Sequence, residues 1–262
     1  MGVNSEVTGT GSAPAAETAS GALVGRVAIV TGATKGIGHA VALALARAGA
    51  NLLLVARDET ELTEARQACL TAGAGRVSTV AADLATLKGL DAVVLAAVRD
   101  FDGFDILVNN AGSGTVKPIE QVGDEEFDRM IALNLRAPYM LTQSAVKVMR
   151  RRGGGQVVQI ASGLAYRGSA GWSLYCAAKF GLRGFTEAVR QEVAKQGIKV
   201  GVVAPGYTRT HFFDDWEDTR RGERSFDEAL EPDDVAHAVM ALVLQGPTSD
   251  IAEIKVRNRR SP

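Results

Sequence analysis

Residues 27–38 read VAIVTGATKGIG: an apolar run, Val27–Val30, followed by three glycines and then by an apolar helical pattern. The β-branched run predicts a buried strand, and a helix is expected to begin near residue 36. Glycines at that junction let the backbone turn sharply and approach a pyrophosphate, which the unpaired amides and dipole of a helix N-terminus stabilise. The spacing GxxxGxG, placed between strand and helix, therefore predicts nucleotide binding; a tight turn without a ligand is the alternative.

The same alternation continues from Arg26 almost to the end of the chain, with short β-branched runs between longer amphipathic segments. This order predicts successive βαβ units and a parallel sheet. We expect a single Rossmann-type, doubly wound α/β domain, with about seven strands and helices on both faces. The predicted strands are Val27–Val30, Leu52–Val55, Val77–Ala81, Ile106–Val108, Val157–Ile160, Val200–Val203 and one near Glu253–Val256. The predicted helices cover about 36–48, 59–72, 88–100, 124–152, 173–196 and 232–244.

Size and composition exclude several functions. The 262 residues, 46% hydrophobic and 23% charged, suit one large domain with one core. A formal net charge of −1 provides no basic field, so nucleic-acid binding is not expected. Three scattered histidines and two cysteines, Cys69 and Cys176, lack the paired spacing of a metal site, so no metal is expected.

Both ends of the chain differ from the part between them. Residues 1–24 are rich in Gly, Ala, Ser and Thr without an apolar period, which predicts a disordered tail before a folded domain at 25–257; residues 258–262 form a short C-terminal tail. The N-terminal stretch lacks the basic start and apolar run of a signal peptide, and no segment approaches the ~18 apolar residues of a membrane span. We expect a soluble, cytoplasmic protein that does not bind membranes.

Tyr175 and Lys179 lie four residues apart in a predicted helix, so the phenol and the ammonium share one face. A free tyrosine has a pKa of about 10 and works as an acid or base near neutrality only if its anion is stabilised. Lys179 is the candidate stabiliser. Ser162 follows a predicted strand end, where ligands meet parallel sheets. Taken separately, each residue has an ordinary interpretation: Tyr175 could be an interfacial side chain, Lys179 could face solvent and Ser162 could cap a turn. Taken together, the three residues indicate an acid–base site.

The residues at the end of the second predicted strand indicate which nicotinamide cofactor binds. NAD-binding proteins usually place a carboxylate there for the ribose 2′-hydroxyl, but this chain has Ala56 and Arg57. A cation suits a 2′-phosphate, and Lys35 in the glycine loop adds a second positive group. The two positions favour NADP(H) over NAD(H). The alternatives are that Arg57 is a solvated residue at a helix start and that Asp58 only caps the helix.

The motifs occur in an order that resembles the short-chain dehydrogenase/reductase family over about residues 25–257. They are Thr31–Gly38, Asn109–Gly112, Asn134, Ser162, Tyr175–Lys179 and Pro205–Gly206. By this resemblance, Ser162 bonds the substrate carbonyl oxygen and Tyr175 is the acid or base. Lys179 lowers the pKa of Tyr175 and holds the ribose, and Asn134 positions a water near Lys179. The resemblance thus implies a complete catalytic tetrad.

The resemblance also assigns a cofactor site. It implies that Asp83, after the third strand, contacts adenine and that Thr208 and Thr210 hold the nicotinamide carboxamide. The expected cofactor residues are Gly32, Thr34, Lys35, Gly36, Ile37, Gly38, Arg57, Asp83, Leu84, Asn110, Ala111, Gly112, Tyr175, Lys179, Pro205, Gly206, Thr208 and Thr210. Two features depart from the acyl-carrier-protein reductase branch: Ala204 stands where Asn is common, and the chain lacks a terminal Gly-Gly.

Residues 206–231 show no clear period and mix aromatic with charged side chains, which predicts a lid. The lid residues Phe212, Phe213 and Trp216 are candidate substrate contacts, and Ser162, outside the lid, is another. The alternative for the three aromatic residues is a small satellite core under the loop.

Two surfaces are candidate partner sites. Arg150, Arg151 and Arg152 end a long predicted helix, where cations suit the helix dipole, and an acidic acyl carrier protein is a candidate partner there. The long helices predicted at 124–152 and 173–196 offer surface for a homodimer or homotetramer, which is the expected assembly.

Together these features predict an NADPH-dependent oxidoreductase that reduces a ketone or aldehyde to the alcohol by reversible hydride transfer. A 3-oxoacyl thioester is one candidate substrate. An alcohol, sugar or steroid dehydrogenase of the same family is the alternative. A catalytically silent sensor of the NADP redox state would have no need of both Tyr175 and Lys179, so their joint presence favours the enzyme.

Overall fold

The computed structural model describes residues 21–213 and 229–259. The strands are β1 (Val27–Thr31), β2 (Asn51–Ala56), β3 (Val77–Ala81), β4 (Ile106–Asn109), β5 (Gly155–Ile160), β6 (Ile198–Pro205) and β7 (Glu253–Val256). All seven pair in parallel in one sheet, in the order β3-β2-β1-β4-β5-β6-β7. The chain therefore reverses its direction of winding between β1 and β4, where ligands bind in doubly wound sheets.

Helices cover both faces of this sheet. Within the described ranges they are α1 (Gly36–Arg47), α2 (Glu59–Ala72), α3 (Leu87–Phe101), α4 (Asp124–Ile131), α5 (Ala137–Arg151), α6 (Ser173–Val193) and α7 (Pro232–Val243). Successive strand residues face opposite layers: Ala28 packs in the cluster with α1 and α7, whereas Ile29 packs in the cluster with α3 and α5. The predicted single doubly wound α/β domain is confirmed. None of the helices that the structure describes is long and apolar enough to cross a bilayer.

One predicted helix is interrupted. Instead of a continuous helix over 124–152, a π-helical turn, Ala132–Arg136, separates α4 from α5. Pro138 lies at the start of α5, and a proline in an α-helix cannot donate to the carbonyl four residues earlier, here that of Asn134. The wide turn accommodates that missing hydrogen bond and is the kind of local distortion often found at functional sites. The helix predicted at 173–196 likewise ends at Val193, followed by a short 3-10 turn.

The boundary of the predicted N-terminal tail also differs. Residues 21–24, assigned to the tail by composition, form a turn in which Leu23 is buried and its amide donates to the carbonyl of Ala48 at 2.8 Å. The apolar Leu23 side chain packs in the same cluster as α1, so the packed chain includes these residues.

Candidate active site

The glycine loop between β1 and α1 has a conformation that side chains would disturb. Gly32 and Gly36 have φ angles of 65° and 54°, in the left-handed region that favours glycine. A Cβ on Gly38 would overlap the carbonyl oxygen of Gly32. The loop therefore packs tightly against the first turn of α1 and leaves its backbone open toward the end of the sheet, the geometry that suits a pyrophosphate.

Asn110 fixes this loop to the neighbouring strand. Its Nδ2 donates to the carbonyl oxygens of Thr31 at 2.9 Å and Gly32 at 3.1 Å. In return, the hydroxyl of Thr31 accepts from the backbone amides of Asn110 at 2.9 Å and Ala111 at 3.0 Å. The Asn110 side chain, expected at the cofactor, thus holds β1 and the end of β4 together and shapes the loop.

A cleft of about 760 Å³ opens at the carboxyl end of the sheet. Every expected cofactor residue except Gly38 lines it, and so do Ser162 and Phe212. Gly38 acts from beneath, through its contact with Gly32. The structure therefore brings together, in one cleft, residues that the sequence spreads from the first strand to the segment after β6.

Ser162, Tyr175 and Lys179 form the inner wall of the cleft. Tyr175 and Lys179 are both buried on α6, and Ser162 follows the end of β5. The hydroxyls of Ser162 and Tyr175 are hydrogen-bonded. The Ser162 Oγ also accepts from the backbone amide of Leu164 at 3.1 Å. The hydrogen bonds to Leu164 and Tyr175 therefore hold the Ser162 hydroxyl beside the phenol at the wall of the cleft.

The ammonium of Lys179 is held by the sheet. Its Nζ donates to the carbonyl oxygen of Ile160 at 3.0 Å and lies 5.6 Å from the centroid of the Tyr175 ring. The predicted shared face of the helix is therefore present, with the cation over the ring of the tyrosine.

Burial governs the titration of both groups. It raises the pKa of Tyr175 to about 12, although the hydrogen bond from Ser162 acts in the opposite direction. It lowers the pKa of Lys179 to about 8. Loss of solvent is the largest cause and outweighs the hydrogen bond from Ser162, and Lys179 is not among the causes that shift the pKa of Tyr175 here. The role of Lys179 toward the phenol therefore stays a prediction. The phenol keeps its proton at neutral pH, and the ammonium keeps its charge.

Asn134 lies in the π-helical turn and is 1% exposed. Its Nδ2 donates to the carbonyl oxygens of Ser113 at 2.9 Å and Met130 at 3.1 Å, and to the Met130 sulfur at 2.9 Å. Three acceptors around one atom fix the orientation of the amide. The Oδ1 atom is then buried without a hydrogen-bond partner among the described residues.

Gly112 separates Asn134 from the cleft, since a Cβ at Gly112 would lie 2.7 Å from that Oδ1 atom. Unlike Ser162, Tyr175 and Lys179, Asn134 does not line the cleft itself. An unpaired buried acceptor is costly, so the Oδ1 atom is suited to receive a donor such as a water.

The outer end of the cleft, after β2, carries charges of both signs. Arg57 is exposed and lines the cleft. Lys35 forms a salt bridge with Glu61 on α2, with a distance of 2.5 Å between Nζ and Oε1. Asp58 caps α2 by accepting from the backbone amide of Glu61 at 2.9 Å. Arg57 and Lys35 both reach the expected site, but one of the two cations is already paired.

Arg129, which the sequence did not single out, also lines the cleft. Its Nη1 donates to Oδ2 of Asp83 at 3.2 Å, while Oδ1 of Asp83 accepts from the amide of Ala85 at 3.0 Å. The Ala85 amide and then the Arg129 guanidinium hold the pKa of Asp83 below its usual value. The Asp83 carboxylate is thus ionised and fixed in place. No spacing in the sequence connects Arg129 with Asp83, which precedes it by 46 residues.

Aromatic rings surround the phenol of Tyr175. The ring centroid of Trp172 lies 5.5 Å from that of Tyr175, and the ring of Phe212 lies 5.9 Å away on another side. Leu164 packs in the same cluster. Trp172 was missed because it precedes α6 in a stretch without periodicity. Its position three residues before Tyr175 was the available signal.

The predicted lid is only partly described. Residues 214–228, including Trp216, lie outside the described residues, and Phe213 ends the 3-10 helix His211–Phe213. The two described ends of the segment are joined: the amide of Arg209 donates to the carbonyl of Leu230, and the amide of Leu230 donates to the carbonyl of Tyr207, both at 2.8 Å.

The predicted arginine cluster serves largely to fix α5. Arg152 donates to the carboxylate of Asp105 at 3.3 and 3.4 Å, and Arg150 donates to the side-chain oxygen of Gln196 at 2.9 Å. All three arginines are exposed, and Arg151 is the member of the cluster without such a bond to the described residues. Internal pairing therefore explains most of this cluster.

Comparison with known sequences finds relatives that are oxidoreductases. A family profile described as short chain dehydrogenase matches residues 26–221. The D-beta-hydroxybutyrate dehydrogenase of Rhizobium meliloti strain 1021 is 40% identical over 71% of this chain and 72% of its own length. The 3-oxoacyl-[acyl-carrier-protein] reductase of Synechocystis sp. is 34% identical over 72% of this chain and 76% of its own.

Solved structures agree with the sequences. A metagenomic short-chain oxidoreductase in complex with NADP has a TM-score of 0.79 and 33% identity, covering 90% of this chain and 98% of that protein. The alcohol dehydrogenase from the archaeon Thermococcus sibiricus, complexed with 5-hydroxy-NADP, has a TM-score of 0.82 and 26% identity over the same shares. Two relatives with this fold are therefore known to bind a nucleotide of the NADP type.

Proposed function

The chain belongs to the short-chain dehydrogenase/reductase family of oxidoreductases, and we propose that it is an NADPH-dependent enzyme that reduces a ketone or aldehyde to the alcohol. One observation carries the proposal: Ser162, Tyr175 and Lys179 line the same cleft as the glycine loop. A proton donor and a hydrogen-bond donor for a carbonyl oxygen thus share a cleft with the phosphate cradle.

The residues of the cleft fit a nicotinamide dinucleotide. The glycine loop and the N-terminus of α1 would hold the pyrophosphate, and Asp83 would accept from the adenine amino group. Arg57 would pair with a 2′-phosphate, which favours NADP(H). Thr208 and Thr210 are suited to the nicotinamide carboxamide. A bound NADPH supplies the hydride.

The chain's own residues supply the remaining chemistry. The Ser162 hydroxyl, held beside the phenol, would donate to the substrate carbonyl oxygen in place of its hydrogen bond to Tyr175. The Tyr175 phenol donates its proton to the same oxygen as negative charge develops there. The positive charge of Lys179, beside the ring, stabilises the phenolate that remains. The unpaired Oδ1 of Asn134 is suited to a water that restores the proton.

The surroundings of Tyr175 favour a carbonyl with apolar substituents. Trp172, Phe212 and Leu164 present apolar surface around the phenol, and such walls bind by excluding water. The named relatives are a hydroxybutyrate dehydrogenase and a 3-oxoacyl reductase, which supports 3-oxoacyl thioesters as one set of candidate substrates.

We also propose a homo-oligomer located in the cytoplasm. Phe127 on α4, Tyr139 on α5 and Phe180 on α6 are large apolar side chains exposed by more than two fifths, at 49%, 46% and 43%. Exposed apolar residues on neighbouring helices favour burial against a second copy. The two cysteines, Cys69 and Cys176, are free and buried, which suits a reducing compartment.

The test is a substrate panel with both cofactors. Aliphatic ketones, aryl ketones, aldehydes and 3-oxoacyl thioesters are each supplied with NADPH or NADH, and cofactor oxidation is followed. We expect turnover of at least one carbonyl class, with a higher kcat/KM for NADPH. Tight NADPH binding without turnover of any carbonyl would instead favour the redox sensor, and equal use of both cofactors would contradict the NADP preference.

A further inference from the structure

The four charged residues that line the cleft near the end of β2 carry no net charge together. The cleft lining there includes two cations, Lys35 and Arg57, and two carboxylates, Asp58 and Glu61. A 2′-phosphate carries close to two negative charges at neutral pH, as other phosphate monoesters do. A phosphate binds most strongly where the cations around it are not already paired with carboxylates. The set of residues in this structure is therefore less favourable to a phosphate than the two cations alone would indicate.

Glu61 is the carboxylate that competes most directly. Its Oε1 lies 2.5 Å from Nζ of Lys35, and it also hydrogen-bonds the side chain of Thr34 in the glycine loop. The hydrogen bond from Lys35 is the main reason that the pKa of Glu61 lies below its usual value, so this carboxylate is ionised at neutral pH. Asp58 differs, because one of its oxygens is engaged in capping α2.

Arg57 provides the contrast. It is exposed, lines the same end of the cleft and forms no hydrogen bond or ion pair with the residues that the structure describes. Its charge contributes to lowering the pKa of Asp83, but the two side chains form no ion pair, so a phosphate can engage Arg57 without breaking one. To engage Lys35 it must break the pair with Glu61 and tolerate the nearby negative charge.

We infer that Glu61 is a specificity-determining residue that retains Lys35 in an ion pair, weakens binding of a 2′-phosphate, and so limits the preference for NADP(H) over NAD(H). This inference rests on the nicotinamide cofactor site proposed above. It places the chain between strict NADP enzymes and enzymes that use both cofactors, with Arg57 favouring the phosphate and Glu61 opposing it.

The test measures binding of two nucleotide fragments that differ only by the 2′-phosphate. Adenosine 2′,5′-bisphosphate and 5′-AMP are titrated by calorimetry, at low salt, into the wild type, Glu61→Gln and Glu64→Gln. Glu64 is an exposed carboxylate on the same helix and lies outside the cleft, so its variant controls for net charge. Because surface ion pairs are weak, we expect Glu61→Gln to lower the Kd of the bisphosphate by about twofold to fivefold. The Kd of 5′-AMP should not change, and Glu64→Gln should resemble the wild type.

A second variant isolates the pair. In the double variant Lys35→Met/Glu61→Gln, the gain from Glu61→Gln should disappear, because Lys35 is the cation that the carboxylate occupies. Thermal melting confirms that each variant is folded.

Each other outcome has a distinct meaning. If the wild type prefers the bisphosphate but Glu61→Gln leaves its Kd unchanged, the inference is wrong and the proposed cofactor preference stands. Equal tightening in Glu64→Gln, or a gain that survives removal of Lys35, would also overturn the inference. If the wild type binds both fragments equally, the proposed NADP preference fails; the inference then fails only if Glu61→Gln also leaves the Kd of the bisphosphate unchanged.

Discussion

The ammonium of Lys179 lies 5.6 Å from the centroid of the Tyr175 ring and is held there by the carbonyl oxygen of Ile160, at 3.0 Å from Nζ. Both side chains are nearly enclosed, at 5% and 6% exposure. The protein thus buries a positive charge without a neighbouring carboxylate partner in the described contacts, and this arrangement costs stability. A buried, uncompensated charge is common where function requires it.

Replacing that charge should stabilise the protein while abolishing turnover. The folded pKa of Lys179, about 8, lies below its usual 10.5, so the cost is fully present below pH 8 and declines as pH rises toward the unfolded value. We expect Lys179→Met to raise the free energy of unfolding at about pH 7 by up to ~3 kcal/mol. The gain should shrink at about pH 10, which thermal and urea unfolding at both pH values would reveal. The exposed Lys88→Met serves as control; lower stability of Lys179→Met at neutral pH would contradict the assignment.

The pH dependence of reduction should follow Lys179 and not Tyr175. The pKa of Tyr175, about 12, keeps the phenol protonated across the working range, whereas Lys179 loses its charge above about 8. We therefore expect kcat for carbonyl reduction to be level below about pH 8 and to decline above it. Measuring kcat with saturating cofactor and ketone tests this. A change in kcat centred near pH 6 that is absent from a Tyr175 variant would contradict this expectation. It would show that the pKa of the phenol lies far below the value that burial gives it.

Gly38 should tolerate no side chain. A Cβ there would overlap the Gly32 carbonyl and the Asn110 amide, both of which belong to the glycine loop and its support. We expect Gly38→Ala to lower the free energy of unfolding by about 3 kcal/mol and to weaken nucleotide binding. The exposed Gly184 in α6 is the control, because a Cβ there meets nothing within 4 Å. Gly184→Ala should be neutral or stabilising by about 1 kcal/mol, and similar losses in both variants would remove the packing argument.

Arg57 should determine cofactor choice. Because its guanidinium is the cation at the end of β2 that no described carboxylate occupies, Arg57→Asp should lower kcat/KM for NADPH by about tenfold to hundredfold and leave NADH equal or better. Lys88→Asp makes the same charge change outside the cleft and should not alter the ratio. An unchanged ratio in Arg57→Asp would remove this residue from the phosphate site.

The regular elements could be predicted from the sequence because apolar periodicity and burial coincide there. The strand Val77–Ala81 and the helix 59–72 match the predicted bounds, and β1 and β4 are each one residue longer. β6 extends further, over Ile198–Pro205. The predicted strand begins at Val200 because the charged Lys199 interrupts the apolar run, and ends at Val203 because Ala204 and Pro205 are not typical strand residues. The candidate catalytic residues were predicted from the order of motifs, which requires no knowledge of distances, and the structure places Ser162, Tyr175 and Lys179 in one cleft.

The remaining features depend on long-range contacts or on local distortions that periodicity does not record. The apolar pattern of 124–152 continues through the π-helical turn, so Pro138 is the one feature of the sequence that indicates an interruption of the helix. The pairing of Lys35 with Glu61 joins two elements across the cleft. The raised pKa of Tyr175 results from burial, which the spacing between the tyrosine and the lysine cannot indicate.

The most direct measurement compares the wild type with Tyr175→Phe for both nucleotide binding and ketone turnover. We expect Tyr175→Phe to bind NADPH with a Kd close to that of the wild type, since the ring and its packing against Trp172 and Phe212 remain. We expect kcat for carbonyl reduction to fall by about a hundredfold or more, because the proton donor is lost. Near-normal turnover of the carbonyl by Tyr175→Phe would contradict the proposed role of Tyr175 and, with it, the proposed mechanism.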